Sequence, residues 1–125
     1  MFVRLGVSAV HGIGVFAIRP IARGTRIFAN DRMPVTWVEK DALERAGPSA
    51  AEARLYHDFG INQGRRIGCP VNFNYLTPSW YLNAPPPGAE ANVTSDAELN
   101  FLARRDIAEG EELWIDYAEF SEPVG

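Results

Sequence analysis

The most regular feature of the chain is an alternation of apolar and polar side chains. Over residues 2–10, Val3, Leu5, Val7 and Ala9 fall on one side, with Arg4 and Ser8 among those on the other. That period of two predicts an amphipathic strand. His11-Gly12-Ile13-Gly14 form a glycine-hinged turn into a second strand, Val15 to Ile18, where a residue without a side chain lets backbone approach a ligand closely. Thr25 to Ala29 predict a third strand, broken by Asn30-Asp31 and Pro34, and a polar connector runs on to Gly47-Pro48.

Helical signals are few and short. Ser49-Ala50-Ala51-Glu52 has the spacing of a capping box and predicts a helix from Ala50 to about His57, with Gly60 just past its end. Leu55, Tyr56 and Phe59 would face the core. Phe59 to Pro70 reads as a hairpin turning at Gln63-Gly64. Thr77 as cap and Pro78 at the first helical position start a turn that carries Trp80, Tyr81 and Leu82 to Asn83. Pro85 to Pro87 then exclude any regular element.

The alternation returns near the end of the chain. Ala97, Leu99, Phe101 and Ala103 alternate with Glu98, Asn100 and Arg104, which predicts a strand; Asp106 to Gly110 form a turn, and Glu112 to Asp116 a second strand with Tyr117 just beyond it. This stretch has a counterpart upstream: Ala17, Arg19, Ile21, Ala22, Gly24 and Ile27 match Ala103, Arg105, Ile107, Ala108, Gly110 and Leu113 at one constant offset. Two copies are too few for a stacked repeat array, so the repeat reads as two hairpins built by the same turn chemistry.

Composition narrows the class. A chain of 125 residues fits a single domain, residues 1–125, and 46% hydrophobic with 22% charged residues is ordinary for a globular protein. No apolar run approaches the roughly 20 residues that span a bilayer, and the amino terminus lacks the basic start of a secretory signal. The expectation is therefore a cytoplasmic protein without a membrane partner. Cys69 is the sole cysteine, which excludes an internal disulfide and a multi-thiolate zinc site, and with only His11 and His57 no metal site is expected. A net charge of −4 argues against general binding to nucleic acid and suits a basic peptide. Asp106, Glu109, Glu111, Glu112, Asp116, Glu119 and Glu122 sharpen that field, because no Lys or Arg lies among them, and Lys40 is the only lysine in the chain.

Three segments together resemble the SET-domain family of protein lysine methyltransferases. They are His11 to Ala17 with Ile21-Ala22-Arg23-Gly24-Thr25, then Trp80-Tyr81-Leu82-Asn83, and finally Arg105 to Tyr117 with its closing Glu112-Leu113-x-x-Asp116-Tyr117. The resemblance implies a mostly β fold with short helices, of the β-clip-like kind, in which small curved sheets surround a carboxy-terminal segment threaded beneath a loop as a pseudoknot. It implies S-adenosylmethionine as cofactor, bound by His11, Gly12, Ile13, Gly14, Tyr81, Leu82, Asn83 and Ala84. Tyr117 would stand beside the transferred methyl as the catalytic residue, with Trp80, Trp114 and Phe120 lining the substrate channel. The implied substrate is a lysine in a basic protein, and a small member could complete its cleft as a homodimer.

The chain departs from the family where histidine follows the asparagine: Ala84 stands there, and the next asparagine, Asn92, arrives only after a proline-rich path. No cysteine-rich segment follows Tyr117. The alternative reading is a SET scaffold that binds a peptide or dimerises without catalysis.

Overall fold

The computed structural model describes residues 1–29 and 35–122, so the predicted break at Asn30, Asp31 and Pro34 lies outside the described residues. Strands β1 (Val3–Val7) and β2 (Ile13–Ala17) form the expected glycine-hinged hairpin, and β2 also pairs with β8 (Glu112–Leu113). A second sheet orders β3 (Thr36–Glu39), β5 (Arg66–Cys69) and β4 (Ile61–Gln63). The third joins β6 (Val93–Ser95) to β7 (Phe101–Ala103). Helices α1 (Lys40–Arg45) and α2 (Ala50–Phe59) are the only α-helices among the described residues. The fold is mostly β, in small antiparallel sheets with few short helices, as the resemblance implied.

The repeated Ile-Ala-x-Gly stretches do not close as two separate hairpins; they pair with each other. Ile21 and Ile107 exchange both backbone hydrogen bonds at 2.8 Å. On one side Gly110 N donates to Ala17 O at 2.8 Å and Ala17 N to Glu111 O at 2.9 Å. On the other, Gly24 N donates to Ala103 O and Ala103 N to Thr25 O at the same distances. Each contact therefore has its mate under exchange of the copies, an internal two-fold centred on a buried isoleucine pair. Gly24 and Gly110 occupy equivalent left-handed positions, φ 85° and 86°, where a side chain is disfavoured.

The closing segment is held on both sides. Asn83 bridges Trp114 and Val93 bridges Ile115, both in parallel, so residues 114–115 lie between the two limbs of the 83–93 loop. Ile115 N donates to Asn83 O at 3.0 Å, and Val93 N to Trp114 O at 3.0 Å. Asn92, fully buried, closes the grip: its Nδ2 donates to Glu112 O at 2.9 Å and its Oδ1 accepts from Trp114 N at 2.7 Å. Leu113 and Ile115 point into the core with Val15, Ile21, Val93 and Ile107. Glu112 and Trp114, being one residue out of phase, leave the opposite face.

Several sequence expectations need correction. Strand β1 stops at Val7, and its apolar side is not buried along its length: Leu5 is exposed and Val7 is 84% exposed, because β1 is the edge strand of its sheet and no described residue covers its outer end. Thr25 to Ala29 supply one bridge, Arg26 to Leu102, before turning. Ala97 and Leu99 belong to the β6–β7 loop, where Asp96 Oδ1 accepts from Glu98 N and Asn100 N at 2.9 Å and Leu99 takes φ 62°. The polar connector contains β3 and α1, because Thr36-Trp37-Val38-Glu39 finds a partner in β5 that no local signal announces.

Helix α2 keeps its capping box but runs to Phe59 and buries no residue. Leu55 is 37% exposed, so it does not face the core; Tyr56 and Phe59 stack on Phe73 instead. Thr77 precedes the 3-10 turn Pro78–Tyr81 without capping it through its side chain. The β4–β5 hairpin turns as expected, with Gly64 at φ 60°.

Deleting part of the two-fold's centre should be costly. Ile107→Ala is expected to lower stability by about 2–5 kcal/mol, the range for large-to-small changes in a closed core. Leu55→Ala should stay near about 0.5 kcal/mol. Urea denaturation of both variants checks the contrast, and equal losses would contradict the placement of the core.

Candidate functional site

The glycine turn is fastened to the closing strand by two side chains. Ser8 Oγ accepts from Val10 N at 3.0 Å and His11 N at 3.2 Å, which ties the turn's tip, and donates to the Glu112 carboxylate at 2.8 Å. Glu112 Oε2 accepts from Asn83 Nδ2 at 3.0 Å, and that same amide nitrogen donates to His11 O at 2.9 Å and Ile13 O at 3.2 Å. Two carbonyls and a carboxylate all need a donor, so only one orientation of the Asn83 amide fits. Oδ1 is left facing away with no partner among the described residues. At Gly14 a Cβ would collide with the Glu112 carboxylate, so the glycine lets that carboxylate keep its bonds to Ser8 and Asn83. Gly12 differs: it takes φ 47°, and a Cβ there would meet nothing within 4 Å.

Tyr117 approaches from the other side of the same chain segment. Asp116 Oδ1 accepts from Ala118 N at 3.0 Å, capping the 3-10 turn Tyr117–Glu119 that aims the ring. The phenol donates to Leu82 O at 2.5 Å. The residue is 45% exposed as a whole, with its hydroxyl turned inward to the Leu82 carbonyl. Burial pushes the phenol's pKa above 10.0, and the Ala84 backbone amide beside it acts in the opposite sense.

A cavity of about 380 Å³ opens at this ring, lined by Phe59, Trp80, Leu82, Phe101, Tyr117 and Phe120 among others. Phe120 meets Phe101 and Tyr117 edge-on at centroid distances of 5.6 and 6.1 Å. It is held there because residues 120–122 lie along the free edge of β4: Glu122 N donates to Asn62 O at 2.7 Å and Gln63 Nε2 to Phe120 O at 3.0 Å. Asp58 and Glu122 add carboxylates to the lining.

The predicted site residues thus divide between two sides of the segment 82–84. His11, Ile13 and Asn83 meet on one side, His11 and Ile13 through their carbonyls rather than their side chains. Trp80, Phe120 and Tyr117 meet on the other. Leu82 contributes its carbonyl to Tyr117 while its side chain fills the core, and Tyr81 packs edge-on against Phe59 at 5.6 Å. Trp114 does not line the cavity; it shares the face of Glu112 and Asn83. The alternation of the strand carried that information, since residue 114 is out of phase with 115 and 117. Nothing in the sequence marked Ser8.

A glycine turn, an asparagine and a terminal tyrosine gathered on one strand, with a knot-like grip on that strand, is a specific combination. The family model described as "SET domain" matches residues 12–118. The chain belongs to the SET-domain family. Among solved structures, this SET domain is similar to a Plasmodium falciparum protein assigned as a histone methyltransferase, with TM-score 0.51 and 17% identity, covering 91% of this chain and 90% of that one. It is also similar to a humanized mutant of the Chaetomium thermophilum Polycomb Repressive Complex 2 bound to an inhibitor, with TM-score 0.59 and 22% identity, covering 94% of this chain and 15% of that one. At these identities the structural likeness speaks for the fold. No curated protein sequence matches the chain.

Two outcomes follow. The Tyr117 phenol should ionise above 10.0 in the folded SET domain, so the stability tied to its protonated form is intact below that pH and is lost as pH rises through the folded value. Near-ultraviolet absorbance titration of the wild type against Tyr117→Phe reads the shift, and a midpoint at or below 10.0 would contradict the buried hydroxyl. Gly14→Ala should displace Glu112 and loosen the turn, which hydrogen exchange at His11 and Ile13 would report as faster exchange.

Proposed function

We propose that this SET domain is an S-adenosylmethionine-dependent protein lysine N-methyltransferase. The observation that carries the reading is the shared backbone segment 82–84, with Asn83 gripping the glycine turn on one side and Leu82 receiving the Tyr117 hydroxyl on the other. A cofactor pocket and an amine channel would then meet across a single layer of chain.

The residues on the glycine side fit the cofactor. Its methionine end carries an ammonium and a carboxylate as well as the sulfonium, and Asn83 Oδ1, which faces away from the carbonyls of His11 and Ile13 and has no partner among the described residues, offers the ammonium an acceptor. When bound, the cofactor supplies an electrophilic methyl group, whose bond to sulfur breaks as a bond to the substrate amine forms. The chain's own work is positioning and dehydration. Phe59, Trp80, Phe101 and Phe120 wall the cavity; such a wall excludes water, which disfavours the lysine ammonium and favours the neutral amine. Ring faces also attract alkylammonium charge. With its proton committed to Leu82 O, the Tyr117 oxygen retains lone pairs that can accept from the amine N–H and orient its nitrogen.

Substrate choice follows from charge. Asp58 and Glu122 in the lining, with the acidic run that ends the chain, favour a lysine in a basic protein. Ala84, where the family has histidine, favours the second reading, a scaffold that binds without catalysis.

Mass spectrometry of a lysine-rich protein incubated with the SET domain and S-adenosylmethionine separates the two. Methylated lysine in the substrate is expected, and binding of cofactor and substrate without methylation would favour the scaffold. Tyr117→Phe should cut transfer on the order of a hundredfold, as loss of one positioned polar group does in other enzymes, while cofactor affinity measured by calorimetry stays within about twofold. Equal loss of both would remove Tyr117 from the chemistry.

A further inference from the structure

One aromatic residue on the glycine side has no evident task. Trp114 follows Glu112 by two positions and therefore leaves the same face of the strand, while Leu113 and Ile115 enter the core. Its parallel bridge to Asn83 sets the two residues side by side in the backbone, Asn83 being the one whose amide grips the glycine turn. The Nε1–H is out of solvent and has no hydrogen-bond partner among the described residues. Folded proteins leave few buried donors unpaired, and such a donor calls for an explanation. Trp80 also has an unpaired indole N–H, but it lines the cavity on the other side.

Resting on the cofactor reading above, we propose that Trp114 is a cofactor-binding residue whose indole N–H donates to an acceptor on the adenosine half of S-adenosylmethionine. Adenosine is the part of that molecule that matches an indole: it has a flat aromatic face and ring nitrogens and hydroxyls that accept hydrogen bonds. The methionine half, with its ammonium, is matched instead by the oxygen acceptor of Asn83. Trp114, not a residue adjacent in sequence, is the residue that Asn83 bridges.

The test uses S-adenosylhomocysteine as probe and the indole N–H resonances of Trp37, Trp80 and Trp114. These are assigned by single Trp→Phe variants. On saturation the Trp114 resonance should shift and its exchange with solvent should slow, while Trp37, which lies in β3 under Arg66, stays unchanged. Trp114→Phe keeps an aromatic ring and removes the N–H, so calorimetric affinity should weaken by about five- to tenfold, the loss of one neutral hydrogen bond. The wild-type shift is readable even if the variant folds poorly, since Trp37→Phe and Trp80→Phe assign Trp114 by elimination. Binding of the probe with an unmoved Trp114 resonance would overturn this role and leave the methyltransferase reading standing. Failure of the wild type to bind either S-adenosylhomocysteine or S-adenosylmethionine would overturn both.

Discussion

Strand β8 (Glu112–Leu113) and the two bridged residues after it, rather than a regular strand running to Asp116, have a neighbour on each side: β2 and Asn83 on one, the Asn92-Val93 limb on the other. Each contact is modest, a backbone hydrogen bond contributing on the order of 1 kcal/mol net. Their effect is collective, because the segment cannot shift along its own axis without breaking the Asn92, Asn83 and Val15 contacts together. A side-chain amide with zero exposure does much of this work: Asn92 satisfies the strand's carbonyl at 112 and its amide at 114. Removing it would leave buried backbone groups unpaired, a larger penalty than the loss of the bonds alone.

From this constraint the site inherits its geometry. Alternation along one strand sends Glu112 and Trp114 to the glycine side and Leu113 and Ile115 to the core. Tyr117, after the Asp116 cap, reaches the cavity. Glu112 is the least conventional member, a partly buried carboxylate with no cationic partner among the described residues, satisfied by a hydroxyl and an amide. Its negative charge and the acceptor on Asn83 make the glycine side receptive to positive charge. The cavity side is aromatic. Two environments of different polarity are thus separated by the backbone of residues 82–84.

The two-fold pairing of the Ile-Ala-x-Gly stretches explains how so small a chain sets that strand in place. Both copies carry a left-handed glycine and a buried isoleucine, and each uses the other's backbone as its sheet partner. The first copy leads out of β2 and the second leads into β8, so their pairing brings the glycine turn and the closing strand together from opposite ends of the sequence. Local turn chemistry alone could equally serve two independent hairpins, and for that reason the repeat was legible while its pairing was not.

Features governed by neighbours in sequence could be read before any coordinates: the capping box of α2, the Gly64 turn, the proline at the first position of 78–81, the glycine hinge at 11–14 and the closing motif ending in Tyr117. Each depends on backbone dihedrals or on bonds that span a few residues. Long-range packing assigned the rest. Whether Leu5, Leu55 or Leu99 is buried depends on what lies opposite, and β3 exists because β5 is there to pair with it. Trp114 stands with Asn83 rather than with Tyr117 for the same kind of reason, since a strand's alternation sorts residues into two sets but only its partners determine which set meets the core.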